Sequence, residues 1–145
     1  MKMEAVPSIG ELERKYFQAE YGHFINGEWV AGDSGKKLPV FNPTTGAVIS
    51  HIQAGNARDA ERAVAAAHAA FPKWSRTSAH ERQAIMMEMA RRMRARLDDF
   101  AMMETLDNGK TIVESTYFDI PASIGMLDRA SAAAGSRTMP ACAQR

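Results

Sequence analysis

The sequence predicts a mixed α/β segment in which short β-hairpins are followed by an amphipathic helical region. Three observations point to it. Asn26-Gly27 lies between two short runs of aromatic and β-branched residues, Asn42-Pro43-Thr44-Thr45-Gly46 separates two further apolar runs, and from Asn56 onward apolar residues recur every three or four positions.

Residues 1–22 are polar and weakly patterned, and read as a loosely held arm with a helical turn around Glu11 to Phe17. In HFINGEWV, Asn26 and Gly27 tolerate the positive φ that both centres of a tight hairpin turn require, which predicts strands at 23–25 and 28–30. After a polar loop through Lys37, Leu38 to Phe41 and Ala47 to Ile52 form a second strand-turn-strand unit. Pro43 fixes φ in its turn and Gly46 supplies the left-handed exit.

Asn56, with Asp59 three residues on, then caps a helix carrying Ala60, Val64, Ala67 and Phe71 on one face. Pro72 is expected to end it and to leave Trp74 in a linker. Ser78 and Glu81 form a capping box ahead of Ile85, Met86, Met89, Ala90, Met93 and Leu97, a helical stripe expected to be core. Asp98 or Asp99 recaps, and Asn108-Gly109 is the left-handed stop. Thr111 to Asp119 is helical by composition, with Pro121 forcing a kink or a fresh start.

Composition bounds the function. The 145 residues suit one domain, and 46% hydrophobic with 24% charged content is ordinary for a globular chain. No apolar run reaches the roughly 18 residues of a membrane span, and Glu4, Glu11, Glu13, Arg14 and Lys15 interrupt any signal-peptide core, so cytoplasmic residence is expected. A net charge of +1 gives no pull toward nucleic acid or a membrane surface. The arginines Arg91, Arg92, Arg94 and Arg96 read as the solvated side of an amphipathic helix, and Met86, Met87, Met89, Met93, Met102 and Met103 as core. Cys142, the one cysteine, excludes an internal disulfide and a thiolate-rich metal site. The four histidines are scattered without zinc-binding spacing.

FINGEWV, FNPTTGAVI, DAERAVAAAHAAFPKW, ERQAIMMEMARRM and ETLDNGK, in this order and at these separations, resemble the N-terminal part of an NAD(P)-dependent aldehyde dehydrogenase over roughly residues 21–128. The resemblance implies an α/β family fold of which this is the N-terminal part of the Rossmann-like cofactor domain. Residues 1–22 would be an N-terminal arm and 23–128 that part of the cofactor domain. Residues 129–145, RASAAAGSRTMPACAQR, are expected to be a divergent, unstructured tail, out of frame or otherwise unrelated.

The family oxidises aldehydes to carboxylic acids with NAD or NADP, through a thiohemiacetal on a cysteine and hydrolysis of the acyl-enzyme by activated water. The residues for those steps fall, in the family, in later sequence. No catalytic or cofactor-binding residue is therefore assigned here, and Cys142 lies outside the nucleophile motif. Gly125 to Gly135 has no preceding strand and fails the dinucleotide fingerprint, so the chain alone is not expected to hold cofactor.

Two weaker assignments follow from the resemblance. Backbone carbonyls at Val40 and Phe41, with Asp107, match a structural cation site; the other reading of Asp107 is a favourable charge beside the helix start at Gly109 to Ile112. Phe118, Asp119 and Ala122 match a helix lining the substrate entrance, and core packing is the other reading of Phe118.

Two functional readings result. One is an oxidoreductase of this family present as a truncated, inactive fragment. The other is a non-enzymatic helical module that associates with full-length dehydrogenase subunits. Lacking the sheet and segments that would cover its helices, the chain is expected to be marginal or to self-associate.

Overall fold

The computed structural model describes residues 7–135. They form a mixed α/β arrangement of two small antiparallel hairpins and several helices, divided into two compact units. The first takes in the chain up to Ala70 together with Met102–Lys110. The second comprises Phe71–Ala101 and the chain from Thr111.

In the first unit, β1 (His23–Ile25) pairs with β2 (Glu28–Val30) in the register Ile25 to Glu28, and Asn26 and Gly27 both take positive φ, at 55° and 84°. The expected turn forms because neither residue meets a steric barrier there. Phe24 and Trp29, paired across the hairpin, pack with ring centroids 5.1 Å apart. β3 (Lys37–Phe41) pairs with β4 (Val48–Gln53), with a bulge between Val40 and Phe41. Asn42 is buried in the turn. It accepts the Thr44 N–H at 2.9 Å, and its amide donates to Glu13 at 2.8 Å.

The arm is held more firmly than its composition suggests. Helix α1 (Ile9–Tyr16) starts at Ser8, whose N–H and hydroxyl both donate to Glu11 at 2.7 Å. Tyr21 N–H then donates to the His51 carbonyl, His51 N–H donates to Ala19, and Ser50 Oγ donates to the Gln18 carbonyl at 2.8 Å. Residues 18–21 thereby run along β4 as an edge pinned by hydrogen bonds, and the Tyr21 ring also packs against Trp29, with centroids 6.0 Å apart.

Helix α2 (Ala57–Trp74) continues through Pro72, so Trp74 is helical and not in a linker. Pro72 costs the bond to His68, but it lies in the last turn, where one lost bond is tolerated, and Ser75 N–H still reaches the Phe71 carbonyl at 2.8 Å.

In the second unit, α3 (Ala79–Ala95) begins with the expected box: Ser78 accepts the Glu81 N–H at 3.2 Å and donates to its carboxylate at 2.7 Å. α4 (Leu97–Asn108), of which Leu97–Ala101 belong to this unit, follows after a break at Arg96, and Arg96 Nε donates to Asp99 at 3.0 Å. A short α5 (Ile112–Glu114), capped by Thr111, runs into a π-helical turn, Ser115–Asp119, and then α6 (Ile120–Gly135). The core gathers Ala90 of α3, Ala101 of α4, and Ile120 and Ile124 of α6, with Met93, Leu97, Phe100 and Leu127 against it. Arg94 pairs with Asp128 across α3 and α6.

Two expectations are corrected here. Ile85, Met87 and Met89 are exposed, because α6 covers the Ala90–Met93 side of α3 and no described element covers the other. Arg129 to Gly135 is helical, continuing α6 into the stretch expected to lack structure; the alanine-rich run ASAAA favours helix. Residues 136–145, with Cys142, lie outside the described residues.

Candidate functional site

Asp59 is the most connected buried charge in the first unit, 4% exposed at the first turn of α2. The sequence places it there as partner of the Asn56 cap, and the reciprocal bonds form: Asn56 N–H donates to Asp59 and Asp59 N–H to Asn56, both at 3.1 Å. Its oxygens also accept the Asp33 N–H at 3.0 and 3.2 Å, which ties the loop after β2 to α2. Arg62 Nη1 lies 3.6 Å away, and Asn56 Nδ2 donates to Asp33 at 3.0 Å. The Asp33 N–H, ahead of the Asn56 bond and the His23 and Arg62 charges, holds the Asp59 carboxyl below the usual carboxylate range, against the opposing effect of desolvation.

His23 Nε2 lies 3.7 Å from Asp59 Oδ2, beyond hydrogen-bond reach, and is buried with no hydrogen-bond partner among the described residues. The two side chains line a depression of about 460 Å³ with Phe24, Ile25, Asn56 and Ala60. A histidine beside a carboxylate is two-thirds of a nucleophilic triad, but among the described residues no Ser, Thr, Cys or Lys lines this depression. The arrangement is suited to joining hairpin, loop and helix, not to activating a nucleophile. The N-x-x-D spacing at 56–59 signals the cap; the reach to Asp33 and His23 has no sequence signal.

The other assigned residues fall as follows. Val40 lies in β3 opposite Ser50, and Asp107 is exposed in the last turn of α4. The fold brings their segments together: Gly109, just past α4, sits so close to the Asn42-Pro43 turn that a β-carbon on it would lie 2.8 Å from Pro43 Cγ. The helix start after Gly109 is capped by the Thr111 hydroxyl, which accepts the Glu114 N–H at 3.2 Å.

Phe118 and Asp119 lie in the π-helical turn and Ala122 one turn on, in α6. Phe118 is 66% exposed in this chain, Ala122 is exposed and Asp119 is half-buried. The Ile120 N–H reaches back to the fully buried Ser115, and the widened turn takes up the crowding that Pro121 would impose on the carbonyl of Tyr117. Gly125 and Gly135 both lie within α6, where their backbone groups belong to a helix and form no phosphate cradle.

Hairpins, capped helices and a helical pair in this order define a mixed α/β fold. Residues 29–143 match the model of the aldehyde dehydrogenase family, and the chain belongs to that family. The match runs past Asp128, where the resemblance was expected to end. An aldehyde dehydrogenase of Paracoccus denitrificans is 46% identical over 108 residues, which are 74% of this chain and 21% of that protein. Among solved structures, HpcC from Thermus thermophilus superposes with a TM-score of 0.80 at 31% identity, over 92% of this chain and 27% of that one. An indole-3-acetaldehyde dehydrogenase in complex with NAD+ gives a TM-score of 0.81 at 30% identity, over 94% and 28%. The chain thus spans about a fifth of the length of the curated relative it matches. Among the described residues no helix is long and apolar enough to cross a membrane.

Proposed function

We propose that this chain is the N-terminal part of the cofactor-binding domain of an NAD(P)-dependent aldehyde dehydrogenase, and that the 145 residues are inert alone. In the whole enzyme NAD(P)+ takes a hydride as an aldehyde becomes a carboxylic acid. The contribution of this chain is scaffolding. The Asp59 node fixes hairpin to helix, the Pro43–Gly109 contact fixes the end of α4, and the π-helical turn presents Phe118 and Ala122 at a surface suited to a substrate entrance. Val40 and Asp107 stay as a structural cation site in this reading, and the location stays cytoplasmic.

One observation carries the reading: a family match over residues 29–143 in a chain that spans 21% of a matched relative. The residues present do not fit the cofactor, since the glycines available for a dinucleotide turn are helical, so no chemical step is assigned to this chain. Equilibrium dialysis of the purified chain against NAD+ and NADP+ tests this. Retention of neither is expected. Saturable binding of either at micromolar concentration would refute it.

The second reading, a non-enzymatic module that associates with full-length dehydrogenase subunits, draws on the outward-facing Phe24, Trp29, Val64 and Phe118. Co-purification with an intact relative tests it.

A further inference from the structure

We infer that Asn26 is a site of spontaneous deamidation, and that Asn108, in the same Asn-Gly dipeptide, is held out of that reaction by the fold. In the first step the Gly27 backbone nitrogen attacks Asn26 Cγ. The new Cγ–N bond closes a succinimide, the Cγ–Nδ2 bond breaks, and ammonia leaves with the proton given up by the Gly27 N–H. Water then opens the ring at either carbonyl, giving aspartate or isoaspartate, with nothing oxidised or reduced. The reaction takes only water, so it does not depend on the proposed enzymatic role.

Ring closure needs a following residue that carries an N–H and no side chain in the way. Asn42 precedes Pro43, which has no N–H. Asn56 precedes Ala57, and its amide is tied down, donating to Asp33 at 3.0 Å and accepting the Asp59 N–H at 3.1 Å. Asn26 and Asn108 are each followed by glycine, and both dipeptides are exposed, so bonding and not solvent access separates them. Asn108 Nδ2 donates to Glu104 Oε1 at 2.9 Å, Gly109 N–H donates to the Thr105 carbonyl at 3.0 Å, and Pro43 crowds Gly109. Both reacting groups of that pair are committed. At the hairpin, among the described residues, neither the Asn26 amide nor the Gly27 N–H has a hydrogen-bond partner, and a β-carbon on Gly27 would meet nothing within 4 Å. The turn joins strands of 3 residues each, a ribbon short enough to open locally at small cost, which lets Asn26 leave its φ of 55° and swing its side chain onto the Gly27 nitrogen. Isoaspartate would route the backbone through the former side-chain carbon, lengthening a turn whose tightness sets the pairing of Ile25 with Glu28.

Peptide mapping of the whole chain held at mildly alkaline pH tests this, with electron-transfer fragmentation to tell isoaspartate from aspartate. Conversion at Asn26 is expected about tenfold or more faster than at Asn108, the ratio set by the two hydrogen bonds that hold the second pair. In denaturing urea the two rates should converge. Glu104→Ala frees the Asn108 amide and is expected to raise conversion there severalfold while leaving Asn26 unchanged. Equal rates at the two positions without urea, faster conversion at Asn108, a ratio that persists undiminished in urea, or no effect of Glu104→Ala at Asn108 would each overturn the proposal.

Discussion

Asp59 takes the backbone N–H of Asp33 on both of its carboxylate oxygens, at 3.0 and 3.2 Å, so a buried side chain at the start of α2 anchors the loop that leaves β2. A backbone amide bonded to an ionised acceptor inside a protein is worth more than the same bond in water. Asp59→Ala should therefore release the 31–35 loop and unpin the first turn of α2 together. Amide hydrogen exchange reads this directly, with protection at Asp33 and Asn56 expected to fall about tenfold or more. Unchanged exchange at Asp33 would exclude the anchoring role.

The same bond has a pH signature. The Asp33 N–H, the largest influence, keeps the Asp59 carboxyl below its ordinary pKa. A group with a depressed folded-state pKa contributes fully above its unfolded value, here about 4, and the contribution fades as pH falls through the lower folded value. Exchange protection at Asp33 should accordingly be flat from neutrality to about pH 4 and decline below it. In Asp59→Asn that decline should be absent.

Glu88 gives a contrasting case at the surface. Arg91 and Arg92 donate to it at 2.6 to 2.7 Å, and these bonds, Arg91 first, lower its pKa to about 2. Carbon-13 titration of the Glu88 carboxyl should therefore show a midpoint below 4.5, moving toward it in an Arg91→Ala, Arg92→Ala double variant. Since exposed pairs contribute little to stability, Glu88→Gln should leave helicity unchanged.

Gly109 and Gly46 separate backbone conformation from packing. Both have positive φ, at 76° and 71°, but only Gly109 has a neighbour, Pro43 Cγ, 2.8 Å from where a β-carbon would stand. Gly46→Ala should cost about 1 to 2 kcal/mol, the left-handed penalty alone. Gly109→Ala should cost more, because Pro43 must also shift, and should raise exchange at the Asn42 turn. Equal costs, measured by native-state hydrogen exchange, would mean that the end of α4 is not seated on that turn.

Ile124 and Ile85 make a matched pair in the second unit. Ile124 is in the α3–α6 core, whereas Ile85 is 46% exposed. Ile124→Ala should destabilise by about 2 to 5 kcal/mol, and Ile85→Ala should stay within about 0.5 kcal/mol. Equilibrium denaturation read by helical circular dichroism distinguishes the two.

Local chemistry made most elements legible in the sequence. Asn26-Gly27, Ser78 with Glu81 and Asn108-Gly109 each act within a few residues, and each forms as read. Contacts distant in sequence were not legible: Gln53 accepting the Gly32 N–H, Asn42 holding Glu13, and Asp59 reaching Asp33 lie 21 to 29 residues apart and leave no periodic trace. Periodicity also overstated the core. It reports that Ile85, Met89 and Ala90 fall within one broad apolar half of α3, but not that α6 covers only the Ala90–Met93 side of it. Pro72 looks like a break in sequence, yet a terminal turn accommodates it, whereas the kink or fresh start expected at Pro121 takes the form of a π-helical turn running into α6.

The most direct test of the proposed division of labour is an aldehyde-dependent assay of the purified 145-residue chain, following NAD(P)H absorbance across aliphatic and aromatic aldehydes beside an intact relative. No reduction above buffer is expected from the chain, with robust reduction from the relative. Turnover by the chain alone, abolished when Cys142 is blocked, would contradict it.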